Sequence, residues 1–184
     1  SPGQTYVISV FIDHFIEDLH VSRWLVSTLY TAGTLAGSFA LPFVGRQIDK
    51  RGPRTILGIV CVLFGATCLF MGFIESAVGL GFGFFALRML GQGSLGLVCK
   101  NAINQWWVRK RGFVMGIAGV ATALLGSGSF PGLVNWMIPQ YGWRMTYILL
   151  GFGVLGIMVP LGILFIRNRP EDYGLQPDGH ADEN

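Results

Sequence analysis

The chain has 184 residues, of which 52% are hydrophobic, 12% charged and 27 glycine, with a formal net charge of +3 and a mean hydropathy of +0.55. Soluble domains carry about 25% charged residues, and a water-soluble fold of this length cannot hide so much apolar surface. A disordered chain, a disulfide scaffold and an ordinary soluble enzyme are excluded, which leaves a polytopic membrane protein.

Uncharged runs mark the expected membrane spans, each near the roughly 20 residues that cross a ~30 Å hydrocarbon core as a helix. Ser1 to Ile12 is apolar but too short to cross, so the sequence is expected to enter part-way through a first helix, a partial span over 1–15. It lacks the basic start and cleavage site of a signal peptide. Complete spans are expected at 24–45, 55–75, 76–99, 112–138 and 144–166. The fourth is interrupted once, by Arg88. The polar, proline-bearing tail at 167–184 reads as a linker. The fold class is therefore an all-α membrane bundle.

Basic residues set the expected orientation. Loops on one side carry Arg46, Lys50, Arg51, Arg54, Lys100, Arg109, Lys110, Arg111, Arg167 and Arg169, whereas the other side has Arg23 and Arg144. Ten against two places the basic loops and the 167–184 tail in the cytoplasm. Asp13, His14, Glu17, Asp18 and His20 then lie at the outer surface and read as a solvated loop.

Small residues let membrane helices approach closely. Gly33 with Gly37, the heptad series Gly58, Gly65 and Gly72, Gly112 with Gly116, and Gly128 with Gly132 all read as packing faces. The stretch from Gly126 through Pro131 to Gly132 is expected to kink the fifth span. Gly91-Gln-Gly-Ser-Leu-Gly96 fits the dinucleotide fingerprint, but it lies inside a membrane helix rather than after a strand, so nucleotide binding is rejected.

Arg88 is the sharpest single signal. It stands in the middle of its span, where an arginine costs at least about 2.5–3.5 kcal/mol and must face a partner or a watery cavity. It serves either as an anion-binding or coupling group, or as a structural donor to a neighbouring helix. Gln4, Tyr6 and Ser9 form the polar cluster of the first span, beside Pro2 and Gly3, and suit either a midplane site or interhelical bonding. Asn101, Asn104 and Gln105 lie at the interface with Trp106 and Trp107, which read as belt anchors. Cys61, Cys68 and Cys99 have no metal or redox spacing. No paired carboxylates, nucleophile–histidine pair or metal site emerges, so neither an enzyme nor a cofactor is expected.

Five segments carry a family resemblance. Gly45-Arg-Gln-Ile-Asp49-Lys50-Arg51-Gly52-Pro-Arg54 resembles the signature that follows the second helix in the major facilitator superfamily. Arg88-Met-Leu-Gly91-Gln-Gly93 is similar to the family's fourth-helix arginine element. Trp107 to Gly119, Tyr141 to Arg144 and Arg169 to Gly179 resemble the monocarboxylate and oxalate/formate branch.

The resemblance implies the amino-terminal six-helix half of a twelve-helix fold, its first helix truncated. It further implies a secondary active transporter of small organic anions, monocarboxylate or dicarboxylate, working by alternating access. Partners would be the anion, a coupling ion or counter-substrate, the lipid bilayer and the carboxy-terminal half. Arg88, with Gln4, Tyr6 and Ser9, would bind substrate or couple it. Gly45, Asp49, Lys50, Arg51, Gly52 and Arg54 would form a gating loop, in which Asp49 latches one state through caps and ion pairs and Gly45 permits close helix approach. The alternative class is a non-transporting membrane receptor or assembly protein with the same fold.

Overall fold

The computed structural model describes residues 5–168, apart from the side chains of Thr5, Tyr6, Ser127 and Gly128. Its helices are α1 (Thr5–Leu19), α2 (Arg23–Arg51), α3 (Pro53–Gly72), α4 (Ala77–Ala86), α5 (Leu95–Trp106), α6 (Arg111–Thr122), α7 (Phe130–Gly153) and α8 (Val159–Phe165). Three π-helical segments, Leu87–Ser94, Ala123–Ser129 and Val154–Met158, join α4 to α5, α6 to α7 and α7 to α8 without a break in the rod. Among the described residues there is no strand.

Local chemistry accounts for the boundaries. Ser22 and Ser76 are extended residues whose hydroxyls accept from the amides of Leu25 and Gly79, each at 3.2 Å, and so start α2 and α4 as N-caps. Gly52 has φ 81° and ψ 154°, a conformation open to glycine, and Pro53 begins α3 where its missing N–H is not needed.

Among the described residues three stretches are long and apolar enough to cross a membrane: Pro53–Gly72, Ala77–Trp106 and Arg111–Phe165. The last has 55 residues, about 80 Å of helix at ~1.5 Å per residue, far more than one crossing needs. It is interrupted at Gly142, with φ 76° and ψ 160°. A Cβ on Gly72 would meet the Arg144 carbonyl, Gly65 lies against Gly151, and Asn168 bonds to Arg54, so the chain after Gly142 runs antiparallel to α3. Trp106 bonds to Asn168 at the opposite end from Gly142, so the rod from Arg111 runs away from that end and the chain reverses at Gly142. The ends of α2, α5 and α8 and the starts of α3 and α6 thereby gather at one basic end.

The core is aromatic where α1 meets its neighbours. Val7, Phe11 and Phe15, one helical stripe, are buried. Phe11 stands 4.3 Å from Tyr147 between ring centroids, and Phe15 meets Trp143 edge-on at 5.0 Å and Phe84 at 5.8 Å. These contacts fix α1 to both α4 and α7.

Several expectations change. The helix that carries the second expected span continues beyond residue 45: α2 runs through Asp49 to Arg51, so the link to α3 reduces to Gly52. The fourth rod continues past Cys99 to Trp106, and the fifth begins at Arg111. The glycine-rich stretch expected to kink holds the π-helical Ala123–Ser129, wide turns of the kind that bend helices, with Pro131 directly after them.

The glycine faces also divide. Gly33, Gly37, Gly65 and Gly72 lie against backbone, whereas a Cβ on Gly112, Gly116 or Gly132 would meet nothing within 4 Å. The side chain surroundings of Gly128 lie outside the described residues. No residue of α6 is buried, so its small residues serve no packing in this bundle.

Candidate functional site

Arg88 lies on the π-helical Leu87–Ser94, facing α2. Its Nε donates to Thr34 Oγ1 at 2.9 Å, its Nη1 donates to the Gln92 side-chain oxygen, and its guanidinium carbon stands 4.9 Å over the Tyr30 ring. Both oxygens are neutral acceptors and the ring face supplies a cation–π contact. A membrane arginine is thus held without its charge being cancelled by these groups.

The same guanidinium lines a cavity of about 310 Å³, at the lower end of the usual small-molecule range of roughly 300–1,000 Å³. Thr34, Gly37 and Ser38 of α2 form one wall; Arg88, Gln92 and Lys100 line the other. Among the described residues two cations and no carboxylate line it, so its field favours an anion.

Glycine creates this space. A Cβ on Gly33 would lie 2.9 Å from the Phe85 amide nitrogen, and one on Gly37 would lie 3.2 Å from that of Met89, so α2 presses directly onto the α4 rod. Beyond this contact, a Cβ on Gly93 would collide with Leu41 at 2.5 Å, whereas Gly96 has nothing within 4 Å and leaves the cavity open.

The other expected residues do not converge here. Gln4 and the side chain of Tyr6 lie outside the described residues. Ser9 is on an exposed part of α1 and does not line the Arg88 cavity. Gly45 is not at a close approach: a Cβ there would meet Leu97 at an ordinary 3.9 Å. Asp49 is exposed in the last turn of α2 between Ile48 and Lys50, with no hydrogen bond or ion pair among the described residues.

Asn168 caps the start of α3. Its Oδ1 accepts from the Arg54 amide at 3.2 Å, serving the α3 N-terminus that Gly52 has no side chain to cap, and its carbonyl accepts from Trp106 Nε1 at 2.8 Å. Trp106 is therefore tied into the protein rather than acting only as a belt anchor. At the other end Asp18 is not simply solvated. It accepts from Trp143 Nε1 at 3.0 Å and from Arg144 Nε at 3.1 Å, while Arg144 Nη1 donates to the Ile74 carbonyl at 2.7 Å. Asp13 pairs with Arg23. Thr34, Tyr30, Gln92, Lys100 and Asn168 were not legible as site residues, because each gains its role from a neighbour distant in sequence. Among the described residues no cluster of three or more His, Cys, Asp or Glu could hold a metal ion.

The sequence profile of the Major Facilitator Superfamily matches residues 1–182. The chain belongs to that superfamily. Curated relatives include the probable sulfoacetate transporter of Cupriavidus necator, 30% identical over 148 residues, covering 77% of this chain and 34% of the relative. The oxalate:formate antiporter of Oxalobacter formigenes is 28% identical over 174 residues, covering 94% and 40%. The probable L-galactonate transporter of Escherichia coli K12 is 28% identical over 162 residues, covering 83% and 33%. The chain spans between a third and two-fifths of the length of these relatives. No solved structure matches it significantly. Superfamily membership and the three apolar stretches make this an integral, multi-pass membrane protein of a transporter family rather than an enzyme family.

Proposed function

We propose that this chain forms the amino-terminal six-helix half of a twelve-helix secondary active transporter that carries small organic anions by alternating access. The observation that carries the reading is the Arg88 cavity, which among the described residues is lined by two cations and no carboxylate, its arginine donating to Thr34. Relatives named for sulfoacetate, oxalate, formate and L-galactonate lend support, since each of these is an organic acid.

Two further features fit a partner half. Phe39 and Phe43 of α2 and Phe113 of α6 are exposed at 85%, 64% and 72%, and α6 buries no residue, so these faces suit an opposing bundle. Asp49 stands at a helix C-terminus, where the dipole disfavours an acid, and has no hydrogen bond or ion pair among the described residues. Its carboxylate is thus available to latch against the other half, with Lys50, Arg51 and Arg54 beside it. Basic loops and the 167–184 segment are assigned to the cytoplasm by the positive-inside rule.

The test uses the complete polypeptide in proteoliposomes. Uptake of labelled oxalate, formate, lactate and sulfoacetate is followed under an imposed proton gradient and with internal counter-substrate. Saturable uptake of at least one acid, lost in Arg88→Ala while the variant keeps its thermal transition, is the expected result. Uptake that survives the substitution makes Arg88 a structural donor to Thr34. No flux of any acid removes the organic-anion reading and favours a non-transporting receptor.

A further inference from the structure

The residues lining the α4–α5 side of the cavity form a pattern that an α-helix does not allow. Arg88 and Lys100 are twelve positions apart. At about 100° per residue an α-helix would place them roughly 120° apart around the axis. Both nevertheless line one cavity.

The wide turns between them supply the correction. Leu95 N–H bonds to the Leu90 carbonyl, and the fully buried Ser94 hydroxyl donates to the Met89 carbonyl at 2.8 Å, both spanning five residues. A π turn absorbs one extra residue. Removing one residue's rotation brings Lys100 to about 20° from Arg88. Gln92 and Gly96 fall along the same stripe. The π segment therefore turns a staggered pair of cations into an aligned one.

Their separation along the axis is about 18 Å at ~1.5 Å per residue, so a small anion meets them in turn rather than together. Lys100 is exposed and lies toward the basic end, whereas Arg88 is half-buried. Helix side chains lean toward the N-terminus, which directs Lys100 back along the cavity toward Arg88.

We propose that Lys100 is a second anion contact of this cavity: it captures a carboxylate or sulfonate at the mouth on the basic end and hands it to Arg88. This rests on the organic-anion reading of the Arg88 cavity. A basic residue that served topology alone would add charge to that end without acting on substrate affinity. Arg109, on the same end but absent from the cavity lining, provides the comparison.

The experiment measures labelled oxalate uptake into proteoliposomes by the complete polypeptide, with substrate presented on the basic face, at low and high ionic strength. Lys100→Gln is expected to raise KM roughly tenfold at low salt, the lower end of electrostatic focusing, with turnover at saturation unchanged. At high salt the variant and the unaltered protein converge, because exposed charges are screened. Lys100→Arg restores the low KM, and Arg109→Gln leaves it unchanged. An unchanged KM in Lys100→Gln, or an equal rise in Arg109→Gln, overturns this inference alone provided that Arg88→Ala abolishes uptake. Uptake that survives Arg88→Ala, or none by the unaltered protein, overturns the organic-anion reading and this inference with it.

Discussion

Replacing Gly33 by alanine tests whether α2 and α4 meet backbone to backbone. The added Cβ would stand 2.9 Å from Phe85 N, 3.2 Å from Phe84 C and 3.2 Å from Phe85 Cα. All three are backbone atoms, so no side chain can rotate away and the two helices must separate. Overpacking of this kind costs about 1–3 kcal/mol, partly offset by the ~0.5–1 kcal/mol that alanine gains over glycine in a helix. The net loss is about 0.5–2 kcal/mol, which for a domain of this size lowers Tm by roughly 1–8 °C. Gly153→Ala is the matched control, since a Cβ there meets nothing within 4 Å; it is expected to leave Tm unchanged or raise it. Thermal unfolding of the detergent-solubilised protein, followed by tryptophan fluorescence, reads both. A Gly33→Ala variant as stable as the original, or a Gly153→Ala variant that loses more, would refute the close-approach argument.

The further outcomes concern the two ends of the bundle. Asn168→Ala removes the acceptor serving the Arg54 amide and is expected to cost about 0.5–2 kcal/mol, as for other helix N-caps, read as a lower Tm. Gly52→Ala should cost more than an ordinary glycine replacement, because its φ is 81° and its Cβ would lie 2.5 Å from Asn168 Oδ1; combining it with Asn168→Ala relieves the collision but not the backbone strain. Asp18→Ala strands the indole N–H of the buried Trp143 and breaks a half-exposed ion pair with Arg144. The expected loss is about 1–2 kcal/mol, whereas Asp13→Ala, at the more exposed pair with Arg23, should be near neutral.

How much of the site was legible follows from what each residue depends on. Arg88 could be singled out because a charge within an apolar run is costly wherever the run folds. The heptad of Gly58, Gly65 and Gly72 marked the face of α3 that lies along the last helix, since periodicity survives any choice of partner. Gly112, Gly116 and Gly132 looked equivalent to them in sequence yet meet nothing within 4 Å, because spacing records which residues share a face and not what opposes it. Asp18 and Asn168 were invisible as structural ties for the same reason: Arg144 and Arg54, their partners, lie more than a hundred positions away in the chain.

The amino-acid sequence by itself determined that this is a helical membrane protein of the Major Facilitator Superfamily, because apolar run length, basic-residue placement and the Asp49 signature are one-dimensional properties. Tertiary structure alone decided that Arg88 and Lys100 share a cavity. That alignment comes from an extra residue taken up in the wide turns before Leu95 and from α2 seated on Gly33 and Gly37. Helix register and the approach of distant backbones are set by packing, which local residue patterns do not encode.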